Sequence, residues 1–235
     1  MKADILVFSA HPDDAELSCG GTIISHVAKG YTVGVIDLTR GEMGTRGTPE
    51  TRAAESAEAS KVLGIAFRDN LQLADVWFEH DAHALLQVVS AIRTYQPRIL
   101  LANAVEDRHP DHGKAASLVE KAWFMSGLTH VVDPLQLPPW RPERVLHYIQ
   151  DRYIQPHLVV DISATWDQKM KAIKAFKSQF FDPNSIEPAT YISTPEFLDS
   201  LESRAREMGR MIGVRYGEGY TLATPPGLAD LGQLL

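Results

Sequence analysis

The feature that most constrains this chain is a short apolar run that ends in a polar turn, passes into a helix, and is followed at once by a second apolar run. Residues 3–10 read as a buried strand, residues 19–29 repeat apolar positions every three and four and close at Gly30, and residues 31–38 are again apolar and β-branched. Strand, helix, strand in so short a span calls for a right-handed crossover, so the two strands lie parallel. The alternation continues. A glycine-rich loop over 41–47 precedes an Ala/Glu-rich helix over 49–63, helical periodicity runs over 81–95 until Pro97 interrupts it, and 98–104 is a further apolar strand. A helix over 113–127, strands near 145–150 and 158–162, and two later helices complete the pattern. The expected fold is α/β, a Rossmann-like, mostly parallel sheet flanked by helices, as one domain over residues 1–235. The proline-rich stretch 135–142 is the expected long surface loop, of the kind that supplies lids or subunit contacts.

Composition narrows the function classes. A net charge of -7 and a pI near 5.7 exclude a general polyanion surface, so nucleic acid is not an expected partner, whereas a small anion needs only an arginine or two. Cys19 is the single cysteine, which rules out an intrachain disulfide, a zinc ribbon and a CxxC pair, and suits a reducing compartment. The apolar stretch Ile5, Leu6, Val7, Phe8 has no basic lead and is too short for a signal peptide or a membrane span, so residence in the cytoplasm without membrane association is expected.

Two polar turns carry the chemistry: His11-Pro12-Asp13-Asp14 and His109-Pro110-Asp111-His112, each after a predicted strand. In parallel sheets ligands sit beyond the carboxyl ends of strands, so turns a hundred residues apart can share one site. A catalytic zinc takes three ligands from His, Asp or Glu, and His11, Asp14 and His112 meet that requirement. Asp13 beside them is the candidate general base, and His109 the candidate group for the oxyanion or the leaving amine, acting as imidazolium. Asp111 is expected to orient His109 through a carboxylate to imidazole hydrogen bond. Taken singly, each aspartate could equally cap the helix that follows.

At these residues the sequence resembles the LmbE-like, or PIG-L, family of zinc-dependent N-acetylglucosamine deacetylases. The blocks that carry the resemblance are residues 10–17 with Gly20-Gly21-Thr22, residues 38–42 with Gly44-Thr45, residues 52–55, Leu63-Gly64, and the His109 to His112 turn. The resemblance implies a Rossmann-like fold, His11, Asp14 and His112 as metal ligands, Asp13 as base and His109 as transition-state partner. Glu106-Asp107-Arg108, residues 47–52 and the tail, Ser203-Arg204 followed by residues 213–218, are similar to the bacillithiol-biosynthesis branch, which acts on N-acetylglucosaminyl malate. In the related mycothiol branch a tyrosine stands where this chain has Asp107, and Tyr191 is the candidate substitute for it.

Arg108 and Arg52 are candidates to pair with malate carboxylates or sugar hydroxyls, and Glu42 with sugar hydroxyls; the alternative for Arg52 is a surface pair with Glu55 on the same helix. Zinc is the expected cofactor, with ferrous iron open to the same donors. A homo-oligomer, with a hexamer as one size, is implied by the resemblance. The other readings open to the residues are a same-family amidase on another glycoside, a chitooligosaccharide or a thiol conjugate, and a Rossmann-like nucleotide binder without hydrolytic chemistry; the latter would want GxGxxG after the first strand, which Gly20 and Gly21 do not form.

Overall fold

The computed structural model describes residues 1–230 and 232. In chain order the elements are β1 (Ile5–Ser9), α1 (Asp14–Ala28), β2 (Val33–Thr39), α2 (Pro49–Leu63), β3 (Phe67–Leu73), α3 (Ala82–Tyr95), β4 (Ile99–Ala102), α4 (Pro110–Ser126), β5 (Arg144–Tyr148), β6 (Leu158–Asp161), α5 (Trp166–Ile173), α6 (Pro195–Met211) and β7 (Gly217–Thr221). The seven strands form one sheet ordered β3-β2-β1-β4-β5-β7-β6. All pairs from β3 to β5 are parallel, and β7 runs antiparallel to both β5 and β6. The expected α/β architecture is the observed one.

Alternation along β1 explains the layers. Leu6 and Phe8 point to one face and pack with α3 and α4 through Val88, Val89, Leu118 and Val119, while Ile5 and Val7 point to the other and meet Cys19, Ile23 and Ala172 of α1 and α5. Cys19 is thus a small buried hydrophobe. β1 is flanked by β2 on one side and β4 on the other, so the strand order reverses at β1. The loops leaving β1 and β4 diverge there and open a crevice at the carboxyl edge of the sheet, into which both His-Pro-Asp turns project.

Several boundaries differ from expectation. α1 starts at Asp14 and α4 at Pro110, earlier than the periodicity implies, so the second halves of both polar turns are the first turns of helices. β3 and β7 have no expected counterpart. β3 is an edge strand whose sequence FRDNLQL is polar, because only part of it is covered. β7, GEGYT, is fully buried despite two glycines; the Gly217 and Gly219 positions lie against Met208 of α6 with no room for a side chain. The 135–142 stretch is not a lid. Trp140 Nε1 donates to Pro97 O at 2.7 Å, before β4, and buried Arg93 donates to Val131 O, Leu137 O and the Asp133 carboxylate, which fixes this strap at the end of the sheet away from the crevice. The segment beside the crevice is instead the one before α6, through Thr190, Tyr191 and Ile192.

Candidate metal and catalytic centre

The crevice holds a cavity of about 300 Å³ whose wall includes His11, Asp13, Asp14, His109 and His112. Local backbone geometry makes this possible. Asp13 adopts φ 116°, a conformation L residues rarely take, which turns the chain abruptly from β1 into α1. The turn is closed by His11 N–H donating to Asp14 Oδ2 at 2.9 Å. At the second turn His109 is the N-cap of α4, its Nδ1 accepting from Asp111 N–H at 3.3 Å.

Each donor atom is aimed by a partner. His112 Nδ1 donates to Asp107 Oδ2 at 2.5 Å, which leaves Nε2 facing Asp14 Oδ1 at 3.2 Å. His11 Nε2 donates to Asp75 Oδ1 at 3.0 Å and lies 3.3 Å from Asp111 Oδ2, which leaves Nδ1 directed toward Asp14 Oδ2 at 3.7 Å. The Asp14 carboxylate is in turn fixed by Asn103 Nδ2 and Gln150 Nε2, both at 3.0 Å. Ligands about 2.0–2.1 Å from a tetrahedral zinc lie roughly 3.3 Å from one another. His112 Nε2 stands at that spacing from Asp14 Oδ1, and His11 Nδ1 lies somewhat beyond it from the other oxygen, Oδ2; carboxylate-backed imidazoles are the usual form of metal-bound histidine. Two groupings have one donor atom from each residue mutually close: nitrogens of His11, His109 and His112 lie within 4.8 Å of one another, as do donor atoms of His11, Asp75 and Asp111.

The electrostatics are those of a cation seat. Burial alone would push the His11 imidazole down, yet hydrogen bonds to Asp111 and Asp75 and the Asp14 charge raise it to about 10. His112 behaves likewise, reaching about 9 against burial because of Asp14 and Asp107. Burial would raise Asp14, but His112 and His11 hold it well below the usual carboxylate range. Asp13, by contrast, is raised to about 7, first by burial and then by Asp14, against the pull of Arg52. His109 is lowered by burial and by its two imidazole neighbours, so it is neutral near pH 7.

These contacts revise several expected roles. The Asp111 carboxylate does not orient His109; it accepts from Val76 N–H at 3.0 Å and from His11, and His109 is oriented by the Asp111 backbone instead. With Nδ1 accepting, neutral His109 carries its proton on Nε2, so it is a donor without being an imidazolium. Arg52 is buried and gives its guanidinium to protein groups: Asp13 Oδ2 at 3.1 Å, Pro12 O, and Gly41 O at 3.3 Å. It lines the cavity beside Asp13 with both terminal nitrogens engaged by protein groups, so it positions Asp13, and Glu55 pairs with Ser178 rather than with it. Gly41, at φ +65°, leaves the space Arg52 fills. Glu42 braces two loops by accepting from Asp75 N–H at 2.9 Å and Arg40 N–H at 3.2 Å. Arg108 and Tyr191 do reach the cavity rim, stacked with the guanidinium 4.3 Å from the ring centroid, but the Tyr191 hydroxyl is engaged by Asp151 at 3.3 Å, away from the oxyanion role expected of it.

Asp75, Asn103 and Gln150 are not singled out by the sequence, and Arg204 is singled out only as part of the Ser203-Arg204 block, with no role at the site. Asn103 and Gln150 are findable, as polar residues at the carboxyl ends of the apolar runs of β4 and β5. Asp75 follows the unexpected β3, and Arg204 lies on α6, whose contact with the cavity the sequence does not reveal.

The family model described as PIG-L, GlcNAc-PI de-N-acetylase, matches residues 6–123. A crystal structure of the conserved protein TT1542 from Thermus thermophilus aligns with a TM-score of 0.87 and 37% identity, covering 97% of this chain and 98% of that one. Diacetylchitobiose deacetylase from Thermococcus kodakarensis is 28% identical over 232 residues, 92% of this chain and 81% of its own length. A probable N-acetyl-alpha-D-glucosaminyl L-malate deacetylase 2 from Bacillus cereus is 29% identical over 205 residues, 76% of this chain and 84% of its own.

Proposed function

We propose, for a chain that belongs to the PIG-L family of GlcNAc-PI de-N-acetylases, the metal-dependent hydrolysis of the acetamide of an N-acetylglucosamine-type sugar, with His11, Asp14 and His112 holding the cation. The observation that carries this reading is the meeting of two His-Pro-Asp turns at one cavity, with His11, Asp14 and His112 buried and a spare buried carboxylate, Asp13, beside them. Zinc suits the nitrogen and oxygen donors, and ferrous iron is the alternative. A divalent ion there supplies Lewis acidity and lowers the pKa of water in contact with it.

The residues supply the rest. Arg52 engages Asp13 Oδ2, and among the described residues Oδ1 has no partner, so Oδ1 takes the proton of the attacking water. A group raised to about 7 can accept that proton near neutrality and give it up again. His109 donates a hydrogen bond from Nε2 to the developing oxyanion, and Asp13 hands the proton it took from the water to the departing amine nitrogen. The C–N bond of the acetamide breaks, the water oxygen bonds the carbonyl carbon, and the products are acetate and the free amino sugar.

For the aglycone, the reading favours N-acetylglucosaminyl L-malate, the substrate of bacillithiol biosynthesis. Arg108 at the rim suits a carboxylate, and the Bacillus cereus relative's name carries the same sugar acid. Diacetylchitobiose, in the name of the Thermococcus relative, is the comparator. The test is acetate release from the malyl glycoside, diacetylchitobiose and N-acetylglucosamine, each with added and with chelated zinc. Metal-dependent release that is fastest on the malyl glycoside supports the whole reading; faster release from diacetylchitobiose keeps the deacetylase and rejects the aglycone; no release from any of the three rejects the activity. A homo-oligomer, checked by light scattering, goes with this reading. Among the described residues no helix is long and apolar enough to cross a membrane.

A further inference from the structure

At the cavity mouth a single carboxylate is shared by two arginines from different parts of the fold. Asp151 Oδ2 accepts from Arg108 Nε at 2.8 Å, while Oδ1 accepts from Arg204 Nη2 and from the Tyr191 hydroxyl, both at 3.3 Å. Arg108 comes from the turn before α4 and Arg204 from α6, and all four residues line the cavity. Asp107 lies behind the cluster, so the two guanidinium groups have Asp151 at the mouth and a second carboxylate beneath it.

We propose that Asp151 is a built-in stand-in for a carboxylate carried by the substrate's aglycone, and that Arg204 joins Arg108 as the second arginine which that carboxylate takes over. The proposal deepens the deacetylase reading and rests on it for the sugar end of the substrate. Its grounds are geometric. Asp151 does not depend on the arginines for its place: its backbone N–H and that of Arg152 donate to Asp107 Oδ1 at 3.1 and 2.7 Å. The arginines hold it only loosely. Each uses one nitrogen, where an arginine and carboxylate can form a bidentate fork, and the Arg204 contact is long.

The groups are also open to solute. The Arg108 side chain is 44% exposed and that of Arg204 21%, so an incoming anion can reach both without unfolding the rim. The subsite is in register with the chemistry, because Asp107 accepts from Asp151 N–H through one oxygen and from His112 Nδ1 through the other. An anionic aglycone exchanges one carboxylate for another at these arginines and can form the bidentate fork that Asp151 does not. A neutral aglycone can do neither. Asp151 therefore keeps the arginines gathered when the site is empty and raises the threshold for weakly bound anions, a use of competition for selectivity.

The test measures L-malate binding by calorimetry and, in parallel, the ratio of KM values for the malyl glycoside and the neutral methyl N-acetylglucosaminide. Hydrogen bonds to charged groups in partly exposed positions set the expected scale at about tenfold. Arg204→Gln should weaken malate binding about tenfold and move the KM ratio against the malyl glycoside by a similar factor, and Arg204→Lys, which keeps the charge and loses the fork, should fall between. Asp151→Asn, which retains the backbone contacts to Asp107, should tighten malate binding by roughly the same factor. Malate affinity unmoved in both Arg204 variants, or weakened in Asp151→Asn, overturns the proposal. If Arg204→Gln does not fold, Arg204→Lys decides alone. Calorimetry needs no turnover, so a chain that binds malate as described yet releases no acetate would refute the activity and leave the subsite standing.

Discussion

Replacing Asp107 by Asn tests how His112, the proposed metal ligand, is set. In the native protein Asp107 is fully buried on its side chain and divides its oxygens, Oδ2 accepting from His112 Nδ1 at 2.5 Å and Oδ1 from the backbone of Asp151 and Arg152. The backbone contacts pin Oδ1 as the amide oxygen in the variant, so the amide NH2 must face His112 Nδ1. Two donors cannot pair, and the imidazole answers by moving its proton to Nε2, the atom that faces Asp14. A protonated Nε2 has no lone pair for a metal. Losing such an outer partner typically costs 10- to 100-fold in metal affinity or activity, about 1.4–2.7 kcal/mol, and the tautomer reversal places Asp107→Asn toward the upper end. The assay is competition with a zinc chelator at pH 7.5, with kcat at saturating zinc and a melting curve of the metal-free protein as controls. Native zinc affinity in a folded Asp107→Asn protein would refute the reasoning.

Other expectations rest on the same contacts. Asp13→Asn should keep its metal content and lose kcat by about 10²- to 10⁴-fold, as for loss of a general base, measured by acetate release alongside metal analysis. Arg52→Gln removes the cation that holds Asp13 down, so the Asp13 carboxyl rises above about 7 and the acidic limb of the kcat/KM profile moves to higher pH; an unmoved limb separates Arg52 from the base. His11 and His112, raised to about 10 and 9, carry protons at neutral pH in the metal-free protein, so zinc uptake should release about two protons, seen as a buffer-dependent calorimetric enthalpy, and affinity should fall as pH drops. Because both pKa values lie above the unfolded value, their stabilisation of the metal-free protein is complete below about pH 6.5 and is lost as pH rises toward 9–10, so the chelated protein should melt progressively lower over that window.

The parts of the molecule legible in the sequence are those where one periodic signal dominates. β1, β2 and α2 are uniformly buried or bounded by Thr48 and Gly64, and α2 begins and ends as its sequence implies. The periodicity of α1 starts late because the helix's true start depends on the left-handed turn at Asp13, which leaves no trace in residue type. β3 is invisible because an edge strand with Arg68 turned inward to Asp37 and Glu16 has no apolar alternation, and with β3 goes Asp75, the partner of His11. The proposed metal donors are legible as chemistry at a spacing. The directions of Arg52, Glu42 and Asp111 are not, because each is decided by a hydrogen-bond acceptor or donor from a distant segment.

The central claim is a divalent ion seated between His11 Nδ1, the Asp14 carboxylate and His112 Nε2, with Asp13 beside it and unbound. Anomalous diffraction at the zinc edge, from crystals grown with zinc, reports this directly. The account predicts one strong peak about 2.0–2.2 Å from those three residues. A peak ligated by His11, His109 and His112 with Asp14 left out, or coordinated by Asp13, would contradict it.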